Sequence, residues 1–531
     1  MKTRQEKITL STIFTEGYFP FVWIALAILL LYARSLSFGF TNFDDHTFID
    51  RNSEFISDFR NIGQAFRQDM FRPSDISAYY RPVVILSFMS DAHIAGKTLF
   101  VYHATNIILH IIASILLYLF LETLGLSKIN VFWLSLLFAL HPALVRAVAW
   151  IPGRTEILLS IFSLLALLTA RTTVTKKSVW LGVLSAISFF LALLSKETAI
   201  VLPVAALFYV YSLRLTMPRR FLAFLASLWF IAIGTWYFLR TAALVYSPDL
   251  GVLGMAKAVF QNSPHILWYV GKAFVPTSLS VLTIYRDASL ISGFIASLFF
   301  AAVLYIMRKQ LNVRYVVFGL VFFVVFLLPT LVSSLPRDSV DLKEDRLYSA
   351  LIGILIIVGV CASAVETKYI RRDFLQLVAV VACAFFVLQG SLYMNIFRDD
   401  LVFWTHAVKR SPTSSVAYLN LGYAYHKRGD IEKAADMYKK TIEYNPKEQV
   451  ARYNLGMIAL GAQAYTEAAK YFLQEIQINP YYSDAYLNLG ITYYEIGRID
   501  DAIVVWRKGL EARPDDTRLQ ANIDTVQKIK P

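Results

Sequence analysis

Eleven stretches of this chain are apolar over nearly their whole length, at roughly 19–39, 99–122, 129–147, 155–171, 178–195, 198–213, 220–240, 289–307, 314–334, 347–364 and 373–394. No other feature limits the fold so strongly. A run of about 20 apolar residues suffices to cross the hydrocarbon core, and a helix satisfies its own backbone hydrogen bonds there. Composition agrees: 57% hydrophobic residues and a mean hydropathy of +0.52 are too apolar for a water-soluble protein. The two cysteines, Cys361 and Cys383, both fall inside apolar runs, so no disulfide framework is implied. The first run exceeds a secretory signal core and reads as an uncleaved anchor.

Basic residues set an orientation. Lys2, Arg4 and Lys7 precede the first run. The short turns on the same side carry Lys128, then Arg171, Lys176 and Lys177, then Arg214, Arg219 and Arg220, then Arg308, Lys309 and Arg314, then Lys368, Arg371 and Arg372. The positive-inside rule makes that side cytoplasmic, and an odd number of spans then puts the C-terminal region outside. The net charge of +13 therefore marks topology, and no nucleic-acid partner is expected.

The other face receives 40–98, 141–154, 195–198, 241–288 and 335–346, with polar residues that are costly beside lipid. Asp44 and Asp45, in FTNFDDHTFID just after the first run, can supply a general base to an acceptor hydroxyl. The bland alternatives are that both are solvated loop residues, or that one of them caps a short helix from His46. Arg81, Arg154, Lys196, Lys272 and Arg346 can hold a lipid-linked phosphate; Arg286 lies in the same loops. Internal pairing competes, with Arg154 against Glu156, Lys196 against Glu197 and Arg346 against Asp345. Tyr80 and Glu344 are supporting polar groups on this face. His103, Asn106 and His110 share one helical face and must point into protein or a wet cavity. With His141 and the aspartates they can ligate a divalent metal, but no tight ligand spacing is present, and no metal site or cofactor is assigned.

From about 398 a period of 34 residues appears. Gly422, Gly456 and Gly490 share it, as do Ala434, Ala468 and Ala502, then Tyr438, Phe472 and Trp506, then Pro446, Pro480 and Pro514. This is the tetratricopeptide signature: repeats at 415–448, 449–482 and 483–516, a partial repeat at 398–414 with Trp404 and Pro412, and a capping helix over 517–530. Asn420, Asn454 and Asn488 recur on the first helix of each pair. They form either a ladder for an extended peptide backbone or ordinary hydrogen bonds between paired helices.

FDDHTFI, YYRPVVILSF, YHATNIILH, HPALVRAVAWIPGRTEIL, SKETAI, YVGKAFVPTSLS and KEDRLYS occur in that order ahead of the repeats. The ordered set resembles the TMTC family of transmembrane, repeat-containing O-mannosyltransferases and its bacterial relatives. The resemblance implies a polytopic GT-C glycosyltransferase domain over 1–396, with outer loops 40–98 and 241–288. It further implies a polyprenyl-phosphate sugar donor and an active site on the non-cytoplasmic face. By motif, Asp44 and Asp45 are the acidic pair, Arg154 and Glu156 the Arg-x-Glu segment, Lys196 and Glu197 the Lys-Glu pair, and Glu344 to Tyr348 the Glu-x-Arg-x-x-Tyr stretch. Leu144 and Arg146 depart from the family, which usually places a His and a Glu there.

The expectation is an all-α protein: about eleven membrane helices of a GT-C domain, then a periplasmic tetratricopeptide solenoid over 397–531. It would transfer a sugar with inversion from a polyprenyl-phosphate donor to a protein Ser or Thr hydroxyl, in a bacterial inner membrane with the N-terminus cytoplasmic. Membrane lipid surrounds it, and the repeat groove takes the acceptor polypeptide or glycan. The rival readings are the same enzyme acting on a glycan or lipid, and a non-catalytic membrane-anchored scaffold.

Overall fold

The computed structural model describes residues 14–71, 79–215, 218–244, 251–284, 287–332, 342–366 and 372–529. Lys2, Arg4, Lys7, Arg286, Lys368 and Arg371 lie outside the described residues. The chain divides into two compact units, Met1–Asp399 and Asp400–Pro531. Helices dominate both, and no extended strand occurs among the described residues.

In the first unit each of the eleven apolar runs contains a helix among the described residues. Seven helices are long and apolar enough to cross a membrane: Phe19–Ser37, Leu99–Glu122, Ile151–Lys176, Arg219–Ala243, Val313–Leu331, Glu344–Val365 and Arg372–Phe397. An eighth run forms Lys128–Ala139 and Pro142–Ala149, bent by 47°. Val179–Ser195, Glu197–Ser212 and Ile291–Met307 are shorter, as is Pro82–Ala95, which the runs did not anticipate. Large side chains such as Phe230, Phe238, Phe299 and Ile306 stand exposed on these helices. That much bare apolar surface suits a hydrocarbon solvent, and the protein is an integral membrane protein.

Sequence accounts for the breaks. Pro142 has no N–H to continue the helix before it, and the His141 ring accepts the Ala143 N–H at 3.2 Å to start the next. The chain then reverses at Trp150–Gly153, and a Cβ on Gly153 would lie 2.7 Å from the Ala147 backbone. Only glycine lets the turn fold that tightly onto its own preceding helix. Elsewhere, Gly319 and Gly353 let two spans cross almost backbone to backbone: a Cβ on Gly319 would meet the Gly353 carbonyl at 2.6 Å.

The second unit is Asp400–Arg410 followed by three helix pairs and Thr517–Ile529. The pairs are Ser415–Lys427 with Ile431–Tyr444, Ala451–Gly461 with Tyr465–Ile478, and Ser483–Glu495 with Ile499–Ala512. The periodic glycines lie under the periodic aromatics. A Cβ on Gly422 would touch the Tyr438 ring at 2.6 Å, and one on Gly456 the Phe472 ring at 2.7 Å.

Candidate functional site

Asp45 and Asp44 have different surroundings. Asp45 is buried and accepts from Thr41 N at 2.6 Å, Thr41 Oγ1 at 2.9 Å, Phe43 N at 3.2 Å and His46 N at 2.9 Å. Burial pushes its carboxyl above the usual carboxylate range, against these four hydrogen bonds, which pull it down. Its oxygens are occupied in shaping the turn and capping the helix from His46, which was the bland alternative. Asp44, one residue earlier, is half-buried. Phe43 beside it stacks on Trp150 with ring centroids 5.7 Å apart, and Lys343 Nζ sits 5.8 Å from the Phe43 ring.

Trp150 leads to the charged groups. The Arg146 guanidinium lies 4.9 Å over its ring, and Arg146 Nε is 3.8 Å from Asp345 Oδ1. Arg81 grips Glu197 with two bonds, Nε to Oε2 at 3.2 Å and Nη2 to Oε1 at 2.7 Å. Lys196 pairs with Glu156. Asp345 feels Arg146, Lys343, Lys196 and Arg346, and Glu156 feels Lys196, Asp345 and Arg81. One electrostatic neighbourhood thus gathers residues from four separate stretches of chain, next to the segment that carries Asp44. Arg154 pairs with Asp91 and Lys196 with Glu156, in place of two of the pairs read from adjacency, while Asp345 still feels Arg346 beside it. Arg154 and Glu156, two apart on one helix, do not face each other, so their partners come from other elements.

Two of the expected phosphate grips are committed elsewhere. Arg154 is fully buried, with Nη2 2.6 Å from Asp91 Oδ2, and it donates to Asn106 Oδ1 at 2.8 Å, Ser87 Oγ at 3.2 Å and the Tyr102 carbonyl at 2.9 Å. Lys272 donates to the carbonyls of Thr277 and Ser278, both at 2.8 Å, and ties that turn. In this structure both cations are engaged by internal acceptors, as Arg81 and Lys196 are by Glu197 and Glu156. Arg346 remains half-buried in the electrostatic field of Tyr269 and Asp345.

The polar stripe on Leu99–Glu122 points into protein. Asn106 Nδ2 lies 3.1–3.3 Å from the carbonyls of Val148, Trp150 and Ile151, and so fixes the chain reversal. His110 bonds the Tyr348 hydroxyl at 2.6 Å and the Ala139 carbonyl at 3.0 Å. His103 is buried, edge-on to Phe38. His141 Nδ1 accepts the Ala143 N–H, so Nε2 carries the proton and donates to the Ala273 carbonyl at 3.1 Å. The Tyr80 hydroxyl donates to the Phe66 carbonyl at 3.2 Å. Glu344 is buried and accepts Ser280 N at 2.9 Å. Among the described residues no group of three or more His, Cys, Asp or Glu is placed to hold a metal. Sequence reading missed Asp91, although a lone acid in the apolar helix Pro82–Ala95 signals a buried cation nearby.

In the repeat unit the Asn420 amide donates to its own helix at Val416 O (2.8 Å). That of Asn488 donates to Asp484 O (2.9 Å) and to the Tyr453 hydroxyl (3.2 Å). Asn454 is half-buried at the equivalent position.

Residues 419–483 and 459–522 match tetratricopeptide repeat families. Over 180 residues the chain is 33% identical to the protein O-mannosyl-transferase Tmtc1 of Drosophila melanogaster, a match covering 33% of this chain and 21% of that protein. It is 32% identical over 184 residues to the TMTC1 protein O-mannosyl-transferase of Homo sapiens, covering 32% of this chain and 20% of that one. The chain thus matches about a fifth of the length of these curated relatives. A crystal structure of MamA aligns with 25% identity and a TM-score of 0.24, covering 25% of this chain and 77% of that one. The resemblance of the chain to the TMTC proteins holds at the level of the family.

Proposed function

We propose that this TMTC-like membrane protein is a glycosyltransferase that moves a sugar from a polyprenyl-phosphate donor to an acceptor hydroxyl, with polypeptide Ser or Thr as the acceptor. The observation that carries the reading is the meeting of the Asp44 segment, through Phe43, Trp150 and Lys343, with the Arg146–Asp345, Arg81–Glu197 and Lys196–Glu156 pairs. The names of the curated relatives support the same class.

In this reading Asp44 takes the proton of the acceptor hydroxyl. The resulting oxygen attacks the anomeric carbon from the side opposite the phosphate. The bond from that carbon to the phosphate oxygen breaks with inversion, and the polyprenyl phosphate leaves with both electrons. Arg346, aided by Lys343 and by Lys196 from its pair with Glu156, counters the charge that grows on the leaving phosphate. Asp45, with every oxygen engaged, holds the turn that aims Asp44. The reaction face is non-cytoplasmic, the membrane is a bacterial inner membrane, and the repeat unit recruits the acceptor.

Transfer from polyprenyl-phosphate mannose to an acceptor peptide tests the assignment. Asp44→Asn is expected to lower turnover by roughly 10²–10⁴-fold, and Asp45→Asn to lower the yield of folded protein more than the turnover of what folds. Wild-type turnover in Asp44→Asn would remove the base. Mass spectrometry of the products identifies the acceptor, since a hexose on a glycan or lipid and none on protein would move the activity to the rival substrates.

A further inference from the structure

Three polar atoms beside Arg146 have no hydrogen-bond partner among the described residues: Trp150 Nε1, Glu344 Oε2 and Asp345 Oδ1. Their residues are only 5%, 0% and 6% exposed. Buried polar atoms are nearly always satisfied, and three orphans around one guanidinium mark a place where a ligand completes the bonding. Resting on the glycosyl-transfer reading above, we propose that Trp150, Glu344 and Asp345 are the residues that read the hydroxyl groups of the donor sugar.

The geometry brings the three together. Arg146 stands over Trp150, and its Nε is 3.8 Å from Asp345 Oδ1, too far for a direct hydrogen bond and suited to a bridging hydroxyl. Arg146 Nη1 donates to the Val281 carbonyl at 2.8 Å, while the neighbouring Ser280 N–H donates to Glu344 Oε1 at 2.9 Å. Residues 280–281 therefore draw Glu344 alongside the guanidinium. Tyr393 steadies them by donating to the Ser280 carbonyl at 3.0 Å.

The chemistry of the orphans selects the ligand. An indole N–H only donates, and a carboxylate oxygen only accepts. A phosphate would meet two carboxylates beside a single guanidinium, and an ammonium has nothing to offer the indole N–H. A hydroxyl both gives and takes, so a polyhydroxylated ring can answer the donor and both acceptors. Phe43 stacks on Trp150 and is the aromatic neighbour of this wall.

The test uses the full chain in lipid nanodiscs. Binding of polyprenyl-phosphate mannose, glucose and galactose is measured first, then binding of the 2-, 3-, 4- and 6-deoxy analogues of the tightest. Wild type is expected to bind at least one deoxy analogue about tenfold more weakly. That penalty should shrink to within about twofold in one of Trp150→Phe, Glu344→Gln or Asp345→Asn, because each variant has already lost the partner of that hydroxyl. Thermal unfolding identifies any variant that fails to fold, and Trp150→Phe, which removes one N–H, keeps the test open if a carboxylate variant does fail. Equal deoxy penalties in wild type and all folded variants overturn the assignment while leaving transfer intact. Failure of wild type to bind any of the three donors overturns the transferase reading and this one together.

Discussion

Arg154 and Asp91 show how single residues are committed by burial. Their side chains are 0% and 3% exposed, and the guanidinium lies 4.4 Å from the centroid of the Phe88 ring. Removing one member of such a pair strands an uncompensated charge, so Arg154→Met or Asp91→Leu is expected to cost about 3–5 kcal/mol. The double variant should cost clearly less than the sum, and thermal unfolding in detergent measures the cycle. If the two effects simply add, the pair is not coupled. Arg154 was legible in the sequence as a residue that needs an anion, but which anion was not. Glu156 sits two positions away on the same helix and points elsewhere, while Asp91 arrives from a helix 63 residues earlier (154 − 91). Asp44 and Asp45 teach the same lesson. They are chemically identical neighbours, and only the turn built by Thr41, Phe43 and His46 separates a saturated carboxylate from a half-buried one.

Among the elements, the repeats were the most legible because each side chain answers to a local period. Helix pairs in this unit close with a residue in the left-handed region, at Gly429 (φ +81°), Gln463 (φ +58°) and Gly497 (φ +78°). A side chain at that backbone angle costs about 1–2 kcal/mol, partly offset by the greater freedom glycine has when unfolded. Gln463→Gly is therefore expected to raise the stability of the repeat unit by about 0.5–1 kcal/mol, read as protection against proteolysis between 400 and 529. Gly456→Ala should act the other way, by about 1–3 kcal/mol, because its methyl enters the Phe472 ring. Among the membrane helices, existence was legible and length was less so. Val179–Ser195 and Ile291–Met307 read as spans by hydropathy and form helices of 17 residues. The sequence reads two ways at His141–Pro142, as an apolar run continuing to 147 and as an outer-face turn beginning at 141, and the His141 cap that decides for the bend exists only once the chain has turned.

For the whole molecule, the alternating basic turns predict that the repeat unit faces away from the cytoplasm. With Cys361 and Cys383 replaced by Ser, a single cysteine at Asp515 should react with an impermeant maleimide on intact cells, and one at Lys177 should react only after the membrane is opened. The reverse pattern would invert the topology and place the Asp44 segment on the cytoplasmic side. Sequence by itself determined that this chain is a bundle of apolar helices followed by a tetratricopeptide solenoid. Hydropathy over twenty residues and a 34-residue period are sums over local positions, and such sums survive ignorance of the fold. Only the tertiary structure decided which charges meet. The links Arg81 to Glu197, Lys196 to Glu156, Arg154 to Asp91 and Arg146 to Asp345 join residues 40 to 199 positions apart (196 − 156; 345 − 146). In a low-dielectric interior a buried charge must find a partner, and the choice of partner belongs to helix packing, which no local pattern in the chain encodes.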